Sequence, residues 1–229
     1  MIITRDIPNL PKEWVSSLTS CGKGSTFAAP VTTSLLDVCQ KFIEIAKKTN
    51  TTNSLTQNDK FPGEHYFFLR TLSEIFSDAN WVEIGTAEGE SAFHIQLGSK
   101  TNYITTFDII PIEKFDRKHD LDFSRLEQII GDLSDSNYFD SKVKIFEKAD
   151  IIFLDGPKNI KFEKRLFELF TKVNFKENTF LIIDDIRTKN LIGLYSRITS
   201  AKIDVSGFGH FTGTGIVDLS KGFTMDWVS

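Results

Sequence analysis

From Trp81 onward the chain repeats one pattern, a short apolar run ending in an acid or a glycine, with stretches of helical spacing set between the runs. WVEIG (81–85), YITTFD (103–108), LEQII (126–130), DIIFLD (150–155) and TFLIID (179–184) read as strands. Apolar runs of this kind are buried on both faces, and strands alternating with helices build a parallel sheet covered on both sides. Helices are predicted near Gly89–Leu97, over Ile160–Lys172 and near Thr188–Ile198; the second would turn Phe162, Leu166, Leu169 and Phe170 inward. The last two runs, KIDVSGFG (202–209) and TGIVDL (214–219), have only a Gly-rich turn between them, and so short a connection allows only an antiparallel pair. The expectation is an α/β chain with a doubly wound, mostly parallel seven-stranded sheet that ends in an antiparallel hairpin.

The N-terminal part has a different texture. Residues 1–30 show no period and read as an irregular arm. Thr33 or Ser34 can cap a helix running to about Lys48, with Leu35, Val38, Phe42, Ile45 and Ala46 on one face. The polar stretch from Asn50 to Lys60 reads as a loop or lid, and Pro62-Gly63 opens a second helix from Glu64 to Phe76 with His65, Phe68, Leu69, Leu72 and Phe76 inward. This divides the chain into an arm and helical lid, 1–62, and a ligand-binding body, 63–229. With 40% apolar and 25% charged residues among 229, disorder throughout is excluded. The net charge is −4, and no basic run carries interleaved aromatics, so nucleic acid is not an expected partner. No apolar stretch approaches the ~18 residues of a membrane span, MIITRDIPNL does not read as a signal peptide, and two cysteines fit a reducing compartment. A cytoplasmic location with no membrane partner is expected, and a homodimer is compatible with the sequence. The 21 Phe find no functional reading at this stage.

Ligands of open α/β sheets bind beyond the carboxyl ends of the strands. The first of those ends carries Glu83-Ile84-Gly85-Thr86-Ala87-Glu88-Gly89-Glu90-Ser91, where Gly85 lets backbone approach a ligand and Gly89 opens a helix. The second carries Asp108, 23 residues beyond Gly85, where an acid can accept hydrogen bonds from ribose hydroxyls. The third carries Gly131-Asp132, placed to meet an adenine edge. The loop lacks the second glycine of G-x-G-x-x-G and holds an acid, Glu88, near the helix start. A diphosphate would fit it badly. A cofactor with a cationic centre and an amino-acid tail fits better, which points to S-adenosylmethionine.

These features resemble the Rossmann-like class I S-adenosylmethionine-dependent methyltransferases over about residues 64–229, the closing antiparallel hairpin included. The resemblance implies that Glu83, Gly85, Thr86, Gly89, Ser91, Asp108, Asp132 and Asp155 surround the cofactor. Ile109-Ile110-Pro111 and a charged segment, Glu113–Asp122, depart from the usual pattern on the adenine side.

A second set of acids lies at the next strand ends. Leu154-Asp155-Gly156-Pro157-Lys158 ends the fourth strand and Ile183-Asp184-Asp185-Ile186 the fifth. Adjacent strands bring these ends to about 5 Å. Three unpaired carboxylates there would repel one another, which a hard cation such as Mg²⁺ removes; the alternative is that Asp184-Asp185 are a strand terminus and a helix cap, solvated or paired with Arg187. Asp-x-x-Lys followed by Asp-Asp resembles the metal-dependent O-methyltransferases of the catechol, caffeoyl-coenzyme A and macrolide-sugar type. Carried over, Asp155, Asp184 and Asp185 would hold Mg²⁺, and Lys158 would take the proton of an acceptor hydroxyl. Asp185 stands where Asn is frequent in the catechol group, and Asp there is similar to the macrolide-sugar enzymes. A lysine beside a metal and partly desolvated is expected to have its pKa lowered to about 7–8.

His210, in the hairpin turn, is an alternative base, a substrate contact or a solvated turn residue. His94 reads as structural, His65 as a seam or ligand residue, and Tyr66 as helix core. The acceptor is expected to be a small hydroxylated molecule. A metal-independent methyltransferase and a nucleotide-binding dehydrogenase are the alternatives. A phosphate-accepting receiver domain has its acidic pair before the acceptor aspartate, whereas here the pair follows Asp155.

Overall fold

The computed structural model describes residues 32–51, 64–114, 120–188, 191–206 and 212–227. Its strands are β1 (Asn80–Ile84), β2 (Tyr103–Asp108), β3 (Leu126–Ile130), β4 (Ile151–Leu154), β5 (Phe180–Asp184), β6 (Lys202–Asp204) and β7 (Thr214–Asp218). They form one sheet in the order β3-β2-β1-β4-β5-β7-β6. β1 to β5 are mutually parallel, and β7 runs antiparallel between β5 and β6. β4 and β5 are buried along their whole length, which explains their unbroken apolar sequences. The chain moves outward from β1 through β2 to β3, then returns to the other side of β1 at β4. The carboxyl ends of β1 and β4 therefore flank the switch point where ligands bind in open sheets.

The helices are α1 (Thr33–Thr51), α2 (Glu64–Ile75), α3 (Glu90–Gly98), α4 (Ser136–Lys148), α5 (Lys161–Phe170) and α6 (Ile192–Arg197). The core has two layers. On one face of the sheet Leu35, Val38 and Phe42 of α1 join Phe68, Leu69 and Leu72 of α2, Ile95 of α3, and Trp81. On the other, Phe139 and Phe146 of α4 join Phe167 and Phe170 of α5, with Val82 and Ile84 of β1. Thr32 Oγ1 donates to Asp218 Oδ2 at 2.6 Å, tying the start of α1 to β7.

The structure departs from the sequence expectation in three places. α4 was not expected; Asp135 caps it, accepting from the Tyr138 amide at 2.8 Å, and Phe139, Val143 and Phe146 supply a helical stripe. α6 begins only at Ile192, after a turn from Asp185 to Thr188 closed by a 2.9 Å backbone bond. β6 stops at Asp204 rather than running to 209, because the Asp204 carboxylate turns the chain by accepting from the Ser206 amide at 2.9 Å. No helix among the described residues is long and apolar enough to cross a membrane.

Candidate active site

The loop after β1 is shaped by contact with its neighbours. The Gly85 amide donates to the Phe107 carbonyl at 2.8 Å, and Gly85 takes φ +100°. A Cβ there would lie 2.1 Å from the Asp155 carbonyl oxygen, so only glycine lets the backbones after β1 and β4 approach this closely. Asp108, at the end of β2, holds the same loop. Its Oδ2 accepts from the Thr86 and Ala87 amides at 2.8 and 3.0 Å, and its Oδ1 accepts from the Ile110 amide at 3.0 Å. Among the described residues, three of four carboxylate lone-pair directions are thus filled, leaving one acceptor position on Oδ1.

Beneath the loop, Thr86 Oγ1 meets Thr106 Oγ1 at 2.6 Å, and Thr106 Oγ1 donates to Glu83 Oε2 at 2.6 Å. Glu83 is fully buried and its Oε1 has no well-formed hydrogen bond among the described residues. Burial pushes its carboxyl from 4.5 up to about 7; the Ser91 and Thr106 hydroxyls oppose this, and the Asp155 and Asp108 charges add to it.

The acid cluster lies beside this loop. The Asp155 amide donates to the Ile84 carbonyl at 2.9 Å, fixing the start of the Asp155–Lys158 turn against β1. Ligand oxygens of Asp155, Asp184 and Asp185 all lie within 4.8 Å of one another. Asp185 has φ +61° and Lys158 φ +55°, conformations that ordinary side chains rarely adopt and that concentrate at functional sites. Lys158 Nζ stands 2.6 Å from Asp155 Oδ1 and 3.6 Å from Asp184 Oδ2, and it also touches Asp185 Oδ2. Burial alone would lower the Lys158 pKa, but the adjoining Asp155, Asp185 and Asp184 carboxylates outweigh it and raise the pKa above the usual lysine range. The expected lowering to about 7–8 is therefore corrected for this arrangement: the acids hold the proton on the ammonium. Burial pushes the Asp155 carboxyl up, Lys158 pulls it down, and Asp184 and Asp185 push it up again.

A cleft of ≈ 1350 Å³ runs along these strand ends. Gly85, Thr86, Ser91, Asp108, Asp132 and Asp155 line it. Glu83 and Gly89 are buried below its surface and support the loop instead; Gly89 packs where a Cβ would meet Ile112 and Leu121 at 2.7 and 2.8 Å. Asp132 is exposed, and its Oδ1 accepts from the Ser134 amide and hydroxyl at 2.8 and 2.7 Å. Asp184, Asp185 and Lys158 adjoin the cleft through Asp155. His210 lies outside the described residues, and so do residues 1–31 and most of the predicted loop at 50–60.

Two features of the cleft escaped sequence reasoning. Tyr66, read as helix core, lines it from α2 and stacks on buried His94 of α3, with ring centroids 5.0 Å apart and planes at 12°. Burial, then the charges of Asp155, Glu90, Asp184 and Glu83, raise the Tyr66 pKa, so its hydroxyl keeps its proton among those acids. Ile109 and Ile110 also line the cleft and are 67% and 42% exposed. Their signal was visible: two large apolar residues directly after a strand-terminal acid, with no strand left to bury them.

The residues present fit both implied groups. For S-adenosylmethionine there is a glycine-built approach of two backbones, an acid with one free acceptor direction, and an apolar flank at Ile109–Ile110. For Mg²⁺ there are three carboxylates. Oxygens around an octahedral Mg²⁺ stand roughly 3–4 Å apart, so a 4.8 Å set closes on the ion with shifts below about 1 Å.

No family model and no curated protein matches the sequence. Among solved structures, the chain is similar to MycE methyltransferase from the mycinamycin biosynthetic pathway in complex with Mg, SAH and mycinamycin VI. That likeness has 16% identity and a TM-score of 0.49, covering 78% of this chain and 54% of that one. The chain thus spans about half the length of MycE. An O-methyltransferase from Bacillus cereus in complex with SAH is 21% identical over 89% of this chain and 99% of its own, at a TM-score of 0.43. An SAH-bound methyltransferase from Podospora anserina is 13% identical, covering 93% and 97%, at 0.44. The fold is read from the chain's own topology. Five parallel strands in the order 3-2-1-4-5 are extended by an antiparallel β7 inserted before β6, and this is the fold of the class I S-adenosylmethionine-dependent methyltransferases.

Proposed function

We propose that this chain is an S-adenosylmethionine-dependent methyltransferase that uses Mg²⁺ to O-methylate a hydroxyl of a small acceptor. One observation carries the reading: Asp155, Asp184 and Asp185 converge with Lys158 at the rim of the cleft whose other wall is built by Gly85 and Asp108. When bound, S-adenosylmethionine supplies an electrophilic methyl group and Mg²⁺ lowers the pKa of a coordinated hydroxyl. The protein's own residues supply position. Asp108 would offer its last acceptor direction to a ribose hydroxyl, and Ile109 and Ile110 would flank the adenine. The three acids would hold the cation. Lys158 would take the acceptor's proton once a cation balances the acids that now keep it protonated. Tyr66 closes the cleft from the α2 side. A small hydroxylated acceptor (a sugar, phenol or natural-product intermediate) suits a rim of this chemistry.

A second reading, metal-independent methyl transfer, is favoured by the fact that Lys158 already neutralises part of the acid set. A dehydrogenase is disfavoured, because Glu88 lines the cleft at the place where a diphosphate would have to lie. Methyl transfer from labelled S-adenosylmethionine to a panel of hydroxylated acceptors, with Mg²⁺ or with EDTA, separates the readings. Turnover that EDTA abolishes and Mg²⁺ restores is expected; turnover that survives EDTA sinks the metal claim.

A further inference from the structure

We propose that Lys158 is the built-in occupant of the cation site, and that a divalent ion binds by displacing its ammonium from the three acids. The inference rests on the reading that Asp155, Asp184 and Asp185 hold a metal. Positions in contact with three carboxylates whose oxygens lie within 4.8 Å of one another form one small volume. Lys158 Nζ takes that volume: it is 2.6 Å from Asp155 Oδ1, 3.6 Å from Asp184 Oδ2, and in contact with Asp185 Oδ2. An ammonium and a divalent cation cannot share it, since they would overlap in space and repel in charge.

The backbone around Lys158 is built to hold the root of the side chain while leaving its tip movable. The Lys158 amide donates to Glu163 Oε1 at 2.7 Å, and Glu163 is buried in the first turn of α5. Gly156-Pro157 stiffens the approach, and Lys158 itself is held at φ +55°. The side chain, by contrast, is 29% exposed, so its ammonium can swing off the acids through its open side by changing rotamers, with the turn left intact. Cation entry therefore exchanges one positive group for another without rebuilding the loop. The lysine lowers the site's apparent affinity for a divalent ion by the work of moving it aside.

The test is calorimetric titration of MnCl₂ into the wild-type protein, Lys158→Met and Lys158→Gln, all without cofactor. Both variants are expected to bind Mn²⁺ at least tenfold more tightly than wild type. Equal or weaker binding in both overturns the proposal, because the lysine would then leave the acid set undisturbed or help to assemble it. Thermal melting of the same samples guards against misfolding. Without metal the variants should melt below wild type, since three acids lose their counter-charge, and they should gain more than wild type from saturating Mn²⁺. A variant that stays unfolded in saturating Mn²⁺ counts against the proposal. Titration of S-adenosylhomocysteine into wild type tests the methyltransferase reading separately: its failure leaves the cation exchange to be judged on the Mn²⁺ data alone.

Discussion

Glu83 shows how a single residue serves this site from below. Its carboxyl is buried under the cofactor loop, bonded through Thr106 to Thr86, and pushed up to about 7. In the unfolded chain the same group titrates near 4.5. An acid with a raised folded pKa binds its proton longer in the native state, so stability falls as pH rises through that interval and is level above it. The expected loss from this residue is ~3 kcal/mol between pH 4.5 and about pH 7. Denaturant unfolding across that range should show Glu83→Gln with a flatter profile than wild type. Parallel profiles would mean that Glu83 is ionised even when buried. At this scale the sequence was legible wherever a residue type at a strand end fixes the chemistry: Asp108, Asp155, Asp184 and Asp185 stand where the spacing put them. It was not legible for the charge state of Lys158. Residue types predict a lysine near acids, but only distances of 2.6 and 3.6 Å show that the acids outweigh burial.

Among elements, α2 links the core to the cleft. Leu69 and Leu72 are buried against the sheet while Tyr66, one turn earlier, faces the ligand space. Helical periodicity found this element and its inner face, but Tyr66 sits on the boundary of that face, and only its stacking on His94 shows where the ring goes. Leu69→Ala should cost roughly 2–5 kcal/mol of stability, as buried Leu truncations do. It should also weaken cofactor binding more than an equally destabilising truncation in the α4–α5 layer, such as Leu166→Ala. Chemical denaturation paired with S-adenosylhomocysteine titration checks both; equal effects on binding would detach α2 from the cleft. α4 was missed for a physical reason as well. Its stripe of Phe139, Val143 and Phe146 lies in an otherwise polar stretch, and its cap, Asp135, is one of two closely spaced acids.

For the whole molecule, the sheet order explains what composition could not. Seven of the 21 Phe form one connected aromatic cluster on one face of the sheet, running from Phe107 through Phe146, Phe139 and Phe170 to Phe175, Phe223 and Phe167. They fill the layer on the α4–α5 face of the sheet, and Phe107 carries that packing up to the cleft it lines. The central proposal is that the carboxyl edge carrying Gly85, Asp108 and Asp155 binds S-adenosylmethionine. Its most direct test is calorimetric titration of S-adenosylhomocysteine into wild type and Asp108→Ala, with NAD as the comparison ligand. Single-site binding of S-adenosylhomocysteine, weakened at least tenfold by Asp108→Ala and absent for NAD, is the predicted result. Binding of NAD in place of S-adenosylhomocysteine, or of neither, would contradict it.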